Sequence, residues 1–387
     1  MRRFVLSLYG LTVLLHVPFA LAAAHALALV GAPSAPAIAV VLAITLTALL
    51  RGRMRLLMND RHRPRWRMIL EEIYFTHWCA TVPAGVLFLV GLLIAWVDAL
   101  TTGSGGSAGS SASVGEVALY AYAGGLALAI WSVVIRRRWV RIRTIDITVA
   151  GLGRAFDGYR IAQLSDLHIG GFCTRARGQR WTARANRLDV DLIALTGDYV
   201  TSGVAFHRDI AAVLCGLKAR DGVIAVMGNH DYFGDGEPLV TLLREGGIEV
   251  LRNQHRSLER GGDRVTIAGV DDVWTRRASV ARTLEGRDPT DPLLVLAHDP
   301  KLFPAFAERG AALVLSGHTH WGQVAVPFLA TRYNFSRIGY RHHAGIYRDR
   351  GATLYVHPGL GTTGPPVRLG APPEITVIRL RCAENAA

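Results

Sequence analysis

Apolar positions follow two different patterns along this chain. Over the first third they run together in four nearly unbroken stretches, at 4–30, 37–50, 74–97 and 114–135. Runs of this kind match the hydrocarbon thickness of a bilayer, the second only by borrowing flanking residues. His16, Pro18 and His25 interrupt the first stretch without adding a full charge, and Glu116 sits near the start of the fourth. From Thr144 onward the apolar runs shorten to three or four residues, at 161–164, 192–195, 223–226, 293–296 and 313–315. These read as buried strands. The polar segments between them have helical character at 174–188, 207–217, 237–245 and 300–308, and further strand-like stretches occur near 265–268, 353–356 and 375–380. The pattern predicts a transmembrane region of four helices over 1–143. An α/β domain built on mixed sheets is expected over 144–387.

Charge sharpens the first part of this picture. The net charge of +13 invites a nucleic-acid reading, but residues 1–143 hold 14 Arg against 5 acids, a balance of +9. The excess flanks the apolar spans: seven Arg lie within 51–67 and five within 136–143, whereas 31–36 and 98–115 contain no Arg or Lys. Basic and non-basic loops alternate as four crossings require. The positive-inside rule then places both termini and the second domain in the cytoplasm, at the inner membrane, with no nucleic-acid partner. The Gly/Ser run 101–113 reads as a flexible outer loop. Cys79, Cys173, Cys215 and Cys382 are too widely spaced for a disulfide framework or a thiolate zinc site. His16, His25 and His77 lack any partner spacing for haem and read as helix-packing residues.

The chemistry lies at the ends of the predicted strands. Asp166-Leu167-His168, Gly197-Asp198, Gly228-Asn229-His230-Asp231, His298 and Gly317-His318-Thr319-His320 each follow one of the short apolar runs. Alone, each has a bland explanation as a turn or a surface pair. Five in sequence supply the hard oxygen and imidazole donors that suit Mn, Fe or Zn, and donors at strand carboxyl ends converge on one crevice. Two divalent ions about 3.5–4 Å apart clamp phosphoryl oxygens and acidify a bridging water. Asp198, between the two ligand groups in order, is the candidate bridging carboxylate. On an extended strand end Asp166 and His168 would point the same way and chelate one ion. His318 and His320 would do likewise unless a turn sends them to different ions. Asp231 is expected to orient a neighbouring histidine. Arg368 offers a bidentate guanidinium for phosphate or simply a solvated surface charge. His207, His255, His342 and His343 are expected to be exposed. The segment 327–347, rich in aromatic residues and Arg, reads as a membrane-facing rim.

This motif set closely resembles the calcineurin-like metallophosphoesterase superfamily, over about Thr144 to the end. The resemblance implies a four-layer α/β/β/α sandwich. It also implies that Asp166, His168, Asp198 and His320 hold one metal, and that Asp198, Asn229, His298 and His318 hold the other. His230 would protonate the leaving oxygen or stabilise the transition state. Ser165-Asp166-Leu167-His168, Gly228-Asn229-His230-Asp231-Tyr232, Gly269-Val270-Asp271-Asp272 and Leu315-Ser316-Gly317-His318-Thr319-His320 resemble the membrane-anchored bacterial branch. So does the tail, 359–364 followed by Arg368 and Pro372-Pro373-Glu374-Ile375. Members of that branch include phosphodiesterases, some related to enzymes that cleave UDP-diacylglucosamine. Trp321 and His357 depart from the branch's usual Gly and small polar residue, which bears on substrate and makes Trp321 a candidate substrate contact. The expected function is hydrolysis of a phosphodiester or pyrophosphate bond by a metal-bridging hydroxide, on a phospholipid-like or nucleotide-linked lipid at the bilayer. The alternatives are a phosphomonoesterase for soluble nucleotide or phosphoprotein, and a non-catalytic membrane sensor.

Overall fold

The computed structural model of the protein describes residues 2–57, 61–102 and 113–383, so most of the Gly/Ser run at 101–113 lies outside the described residues. The chain divides into two compact units.

The first unit is helical: α1 (Arg2–Leu29), α2 (Ala35–Leu57), α3 (Arg65–Thr102) and α4 (Val114–Ala129). The last continues as a π-helical turn over Ile130–Ile135 and a 3-10 turn over Arg136–Arg138. Among the described residues four helices are long and apolar enough to cross a membrane. At 38 residues, α3 is much longer than the apolar stretch 74–97, because helical hydrogen bonding continues through its polar first turns. There Glu71 pairs with Arg53 of α2 at 2.5 Å. Small residues allow close approach: a Cβ on Gly125 would stand 2.6 Å from the Ala80 carbonyl oxygen and 2.8 Å from the Ala84 nitrogen. His16 and His77 approach at 3.1 Å between Nε2 atoms, His77 Nδ1 lies 2.8 Å from the Tyr122 hydroxyl, and His16 Nδ1 lies 2.7 Å from the Thr12 carbonyl. One set of neutral tautomers satisfies every link of this chain: Tyr122 donates to His77, His77 to His16, and His16 to Thr12.

The second unit contains two six-stranded sheets. The first has the order β1 (Arg141–Val149), β12 (Glu374–Cys382), β2 (Arg160–Leu164), β3 (Leu192–Leu195), β4 (Val223–Ala225) and β5 (Glu249–Val250). The second runs β10 (Gly345–Asp349), β11 (Ala352–Val356), β9 (Ala311–Ser316), β8 (Leu293–Leu296), β7 (Asp263–Gly269) and β6 (Gln254–Arg260). β2 to β5 are mutually parallel, as are β11, β9, β8 and β7, while β12–β2, β10–β11 and β6–β7 are antiparallel. Strands buried on both faces carry the continuous apolar runs seen in the sequence. One face of each sheet contributes to a shared core that includes Ile147, Ile161, Leu192, Ile224, Ile267, Leu294, Leu313 and Ile378. Behind the first sheet, α5 (Arg175–Ala185), α6 (His207–Leu214) and α7 (Glu237–Glu245) bury Trp181, Ile210 and Leu239. Behind the second, α9 (Phe303–Ala307) buries Phe303 and Phe306, and Leu284 of α8 (Val280–Leu284) packs against the same core. The result is the four-layer α/β/β/α sandwich. Four histidines expected at the surface are not exposed: His207 and His343 are buried, and His255 and His342 are partly covered.

Candidate metal centre

The five motifs occupy the turns after β2, β3, β4, β8 and β9, at the carboxyl ends of parallel strands from both sheets. The backbone there is not extended. Asp166, His168, Asp198, His318 and His320 all have φ between 46° and 67°, a left-handed conformation that non-glycine residues seldom adopt. Asp166 and His168 therefore face one cluster through a tight turn rather than through strand alternation, which corrects the reason expected from their spacing. Ladder-like bonds hold the turn in place: the Asp166 amide donates to the Gly197 carbonyl at 2.9 Å and the His168 amide to the Asp198 carbonyl at 3.1 Å. The glycines of the motifs are spatial requirements. A Cβ on Gly197 would lie 2.6 Å from the Gly228 nitrogen, and one on Gly228 would lie 2.2 Å from Asp198 Oδ1.

Two clusters result, and they share one carboxylate. Asp166, His168, Asp198 and His320 form the first; Asp198, His298 and His318 form the second, with the donor atoms of each within 4.8 Å of one another. In the first, His168 Nε2 and His320 Nε2 are 3.0 Å apart, and His320 Nε2 is 3.3 Å from Asp166 Oδ1. In the second, His298 Nε2 lies 3.2 Å from Asp198 Oδ2 and 3.1 Å from His318 Nδ1. His318 and His320 thus go to different clusters, the turn between them separating their side chains. Asn229 is buried next to His230, whose amide donates to Asp198 Oδ1 at 2.9 Å, and the Asn229 Oδ1 has no hydrogen-bond partner. Facing imidazole nitrogens, two buried carboxylates and an orphaned amide oxygen fit a divalent cation.

Charges at Asp198, His168 and His318 agree with that fit, while His298 would give up a proton on ligation. Burial alone would raise Asp198, but His298 and His230 beside it hold the carboxyl well below its ordinary range. His298 is opposite: burial pulls it down, yet the Asp198 and Asp166 carboxylates lift it well above the usual histidine value. Burial, with neighbouring His230, keeps His168 well below that value, and burial with His298 brings His318 down to about 4. Neutral imidazoles are the form that ligates metal.

The surroundings fix each ring. His298 Nδ1 donates to the Thr196 carbonyl at 2.7 Å, leaving Nε2 for the cluster. His318 Nε2 meets the Tyr340 hydroxyl at 2.6 Å, leaving Nδ1. These contacts set tautomer and ring orientation. A backbone carbonyl such as that of Thr196 carries no sequence signal, and Tyr340 stood out only as one aromatic of the 327–347 segment. His230 belongs to neither cluster; its ring lies 4.7 Å from that of His168, and Nδ1 is 2.6 Å from the Thr201 carbonyl, so Nε2 remains for a substrate proton.

Three expectations need correction. Asp231 orients no histidine. Its carboxylate accepts from the amides of Asp198, Tyr199, Val200 and Gly228 at 2.7–3.2 Å and so shapes the backbone that carries Asp198. Burial, with Asp198 adding, pushes its carboxyl up to about 7. Arg368 is wholly buried and donates to the carbonyls of Pro358, Gly361 and Ala371, with its Nη2 3.2 Å from His320 Nδ1. It braces the tail loop against the first cluster and presents no guanidinium to a phosphate. Trp321 is buried among Ala325, Ala330, Ala344 and Ala371 and donates to the Val356 carbonyl at 2.7 Å, so it does not border a substrate.

Known proteins give the same class. The model of the calcineurin-like phosphoesterase family matches residues 159–322. A transmembrane protein with metallophosphoesterase domain from Danio rerio is 34% identical over 66% of this chain and 61% of its own length, so this chain spans less than two thirds of that relative. The metallophosphoesterases YkuE and YkoQ of Bacillus subtilis are 31% and 30% identical, covering 62% and 61% of this chain and 86% and 89% of their own lengths. The chain belongs to the calcineurin-like metallophosphoesterase family.

Proposed function

We propose that this protein is a membrane-anchored phosphoesterase that uses two divalent cations, Mn, Fe or Zn, to hydrolyse a phosphodiester or pyrophosphate bond of an amphipathic, lipid-linked substrate at the cytoplasmic face of the inner membrane. The observation that carries this reading is the pair of ligand clusters meeting at Asp198, with His230 beside them and outside both. A cation pair held there supplies charge for the phosphoryl oxygens and acidifies water. Asp198 serves both clusters, Thr196 and Tyr340 orient His298 and His318, and His230, anchored on Thr201, holds a proton at Nε2 for the leaving oxygen.

The lipid part of the reading rests on the surface next to the centre. The segment that supplies Tyr340 also displays Phe328 at 105% and Ile338 at 82% exposure, along with exposed Phe335, Arg332, Arg337 and Arg341. An apolar, arginine-studded edge suits an interfacial substrate. Only Trp139 and Val140 lie between the 3-10 turn Arg136–Arg138 and β1, so the connection in sequence is short. The Arg asymmetry of the loops supports the cytoplasmic placement. The test is turnover by the full-length chain in mixed micelles with Mn. An aryl phosphodiester should be cleaved faster than the aryl monoester, and a lipid-linked diester faster than its deacylated head group. Preference for the monoester would make it a phosphomonoesterase, equal rates on the acylated and deacylated forms would sink the lipid assignment, and no turnover at all would leave a sensor.

A further inference from the structure

Beside the second cluster lies a group of side chains that metal ligation does not use. Asp299 is buried, and its Oδ2 accepts from Trp274 Nε1 at 2.8 Å while Oδ1 accepts from the Lys301 amide at 2.8 Å. These bonds pin an indole that remains 56% exposed. The Lys301 ammonium stands 5.0 Å from the centroid of the Trp274 ring and 4.7 Å from that of Tyr340. The same two rings lie 5.7 Å and 5.4 Å from the ring of His318. A positive charge is therefore held between two aromatic walls, one ring away from a candidate metal ligand. Among the described residues no carboxylate pairs with it, whereas Arg252 is paired with Glu237 and Asp271, and Arg368 is committed to carbonyls.

We infer that Lys301 anchors a second phosphoryl group, adjacent to the one under attack, so that the substrate is a pyrophosphate-linked compound rather than a simple phosphodiester. This inference rests on the phosphoesterase reading and narrows it. A lysine ammonium is a compact charge that binds phosphate oxygens without demanding a bidentate geometry. Lys301 is exposed, so an anion can reach it, and the two rings beside it fix where its ammonium stands relative to His318. In the reaction, the oxygen of water bonds to the phosphorus at the metal centre, and the bond from that phosphorus to the bridging oxygen breaks. The departing phosphoryl group, held by Lys301, takes the proton from His230 Nε2, and the proton lost by water returns to solvent, leaving two phosphate monoesters.

The experiment uses the full-length, Mn-loaded chain, with ADP-ribose as the pyrophosphate probe and bis(p-nitrophenyl) phosphate as the single-phosphate probe. The ratio of kcat/KM for ADP-ribose to that for the aryl diester should fall about tenfold in Lys301→Met, the scale of one lost charge-assisted contact, mainly through KM. Lys301→Arg should recover most of it. An unchanged ratio in Lys301→Met overturns the subsite. If the wild type cleaves neither probe, the phosphoesterase reading fails first, and calorimetric binding of methylenediphosphonate against orthophosphate then decides the subsite. Weaker diphosphonate binding in Lys301→Met, with orthophosphate less affected, supports it; equal diphosphonate affinity in the two proteins overturns it.

Discussion

Two histidine pairs in this molecule meet at almost the same distance and have opposite chemistry. His16 and His77 in the helical unit meet at 3.1 Å between Nε2 atoms, and His168 and His320 in the sheet unit at 3.0 Å. The first pair is closed at both ends by the Tyr122 hydroxyl and the Thr12 carbonyl, so each ring nitrogen has a partner and no carboxylate is needed. The second is enclosed by the carboxylates of Asp166 and Asp198. One is a self-satisfied polar chain; the other is a set of imidazole and carboxylate donors facing one another. The units differ just as sharply in where they put apolar side chains. The helical unit buries Ala39, Ala80, Ala84 and Ala118 and turns Leu14, Leu89 and Ile94 outward, whereas the sheet unit buries its Leu, Ile and Val strands almost completely. Packing through small residues with large apolar ones outside is what a lipid solvent permits and water does not.

This contrast can be broken most forcefully at Asp198. Asp198→Asn removes the carboxylate shared by both clusters and should abolish hydrolysis and lower bound metal, measured by elemental analysis alongside turnover. Near-normal turnover at low metal concentration would refute a shared two-cluster centre. His230→Ala should lower kcat by roughly 10²–10⁴-fold, the range for a general acid, with metal content unchanged. Loss of metal in that variant would move His230 into the ligand set. In the other unit, Leu89→Arg places a charge on an outward position that is 67% exposed, and should cost about 2.5–3.5 kcal/mol of membrane insertion. The measurement is the fraction of protein resisting alkaline extraction, and unimpaired insertion would argue that this face of α3 does not meet lipid. Tyr340→Phe keeps the ring but removes the hydroxyl on His318 Nε2, and should weaken metal binding about 10–100-fold in a chelator competition.

The smallest effect concerns acid stability. Glu374 is buried on β12; burial would raise its carboxyl, but Arg141, His357 and hydrogen bonds from Thr376 and Tyr355 hold it below the usual value. A depressed carboxyl stabilises the fold above its unfolded value of about 4.3, and that stabilisation is lost as pH falls through the lower, folded value. Glu374→Gln should therefore lower stability at neutral pH by about 1–3 kcal/mol, with the gap to wild type closing in acid. A gap that stays constant from pH 7 to strong acid, followed by thermal melting, would remove charge from the explanation.

Much of the fold was legible because periodicity and length are local. The five short apolar runs became β2, β3, β4, β8 and β9, and the segment 237–245 became α7 with the same limits. The ligand motifs were legible for a related reason: donors at strand ends have few other places to go. Apart from the left-handed backbone of Asp166 and His168, what misled was a matter of neighbours. Trp321 and Arg368 are large and polar-tipped, and nothing along the chain says that the Val356 carbonyl and the carbonyls of the tail loop wait to receive them in the interior. Asp231 sits next to His230 in sequence yet reaches back to amides some thirty residues earlier.

The sequence by itself determined the two solvents of this protein, the strands that lead into the ligand motifs, and the kinds of donor atom at their ends, since hydropathy, period and side-chain chemistry are properties of residues. Only the tertiary structure decided which nitrogen of each histidine faces the centre, that His318 and His320 part company across a left-handed turn, and that Lys301 stands between Trp274 and Tyr340. Those facts depend on hydrogen-bond partners and ring contacts brought together from distant strands, and no local pattern encodes a partner that lies elsewhere in the chain.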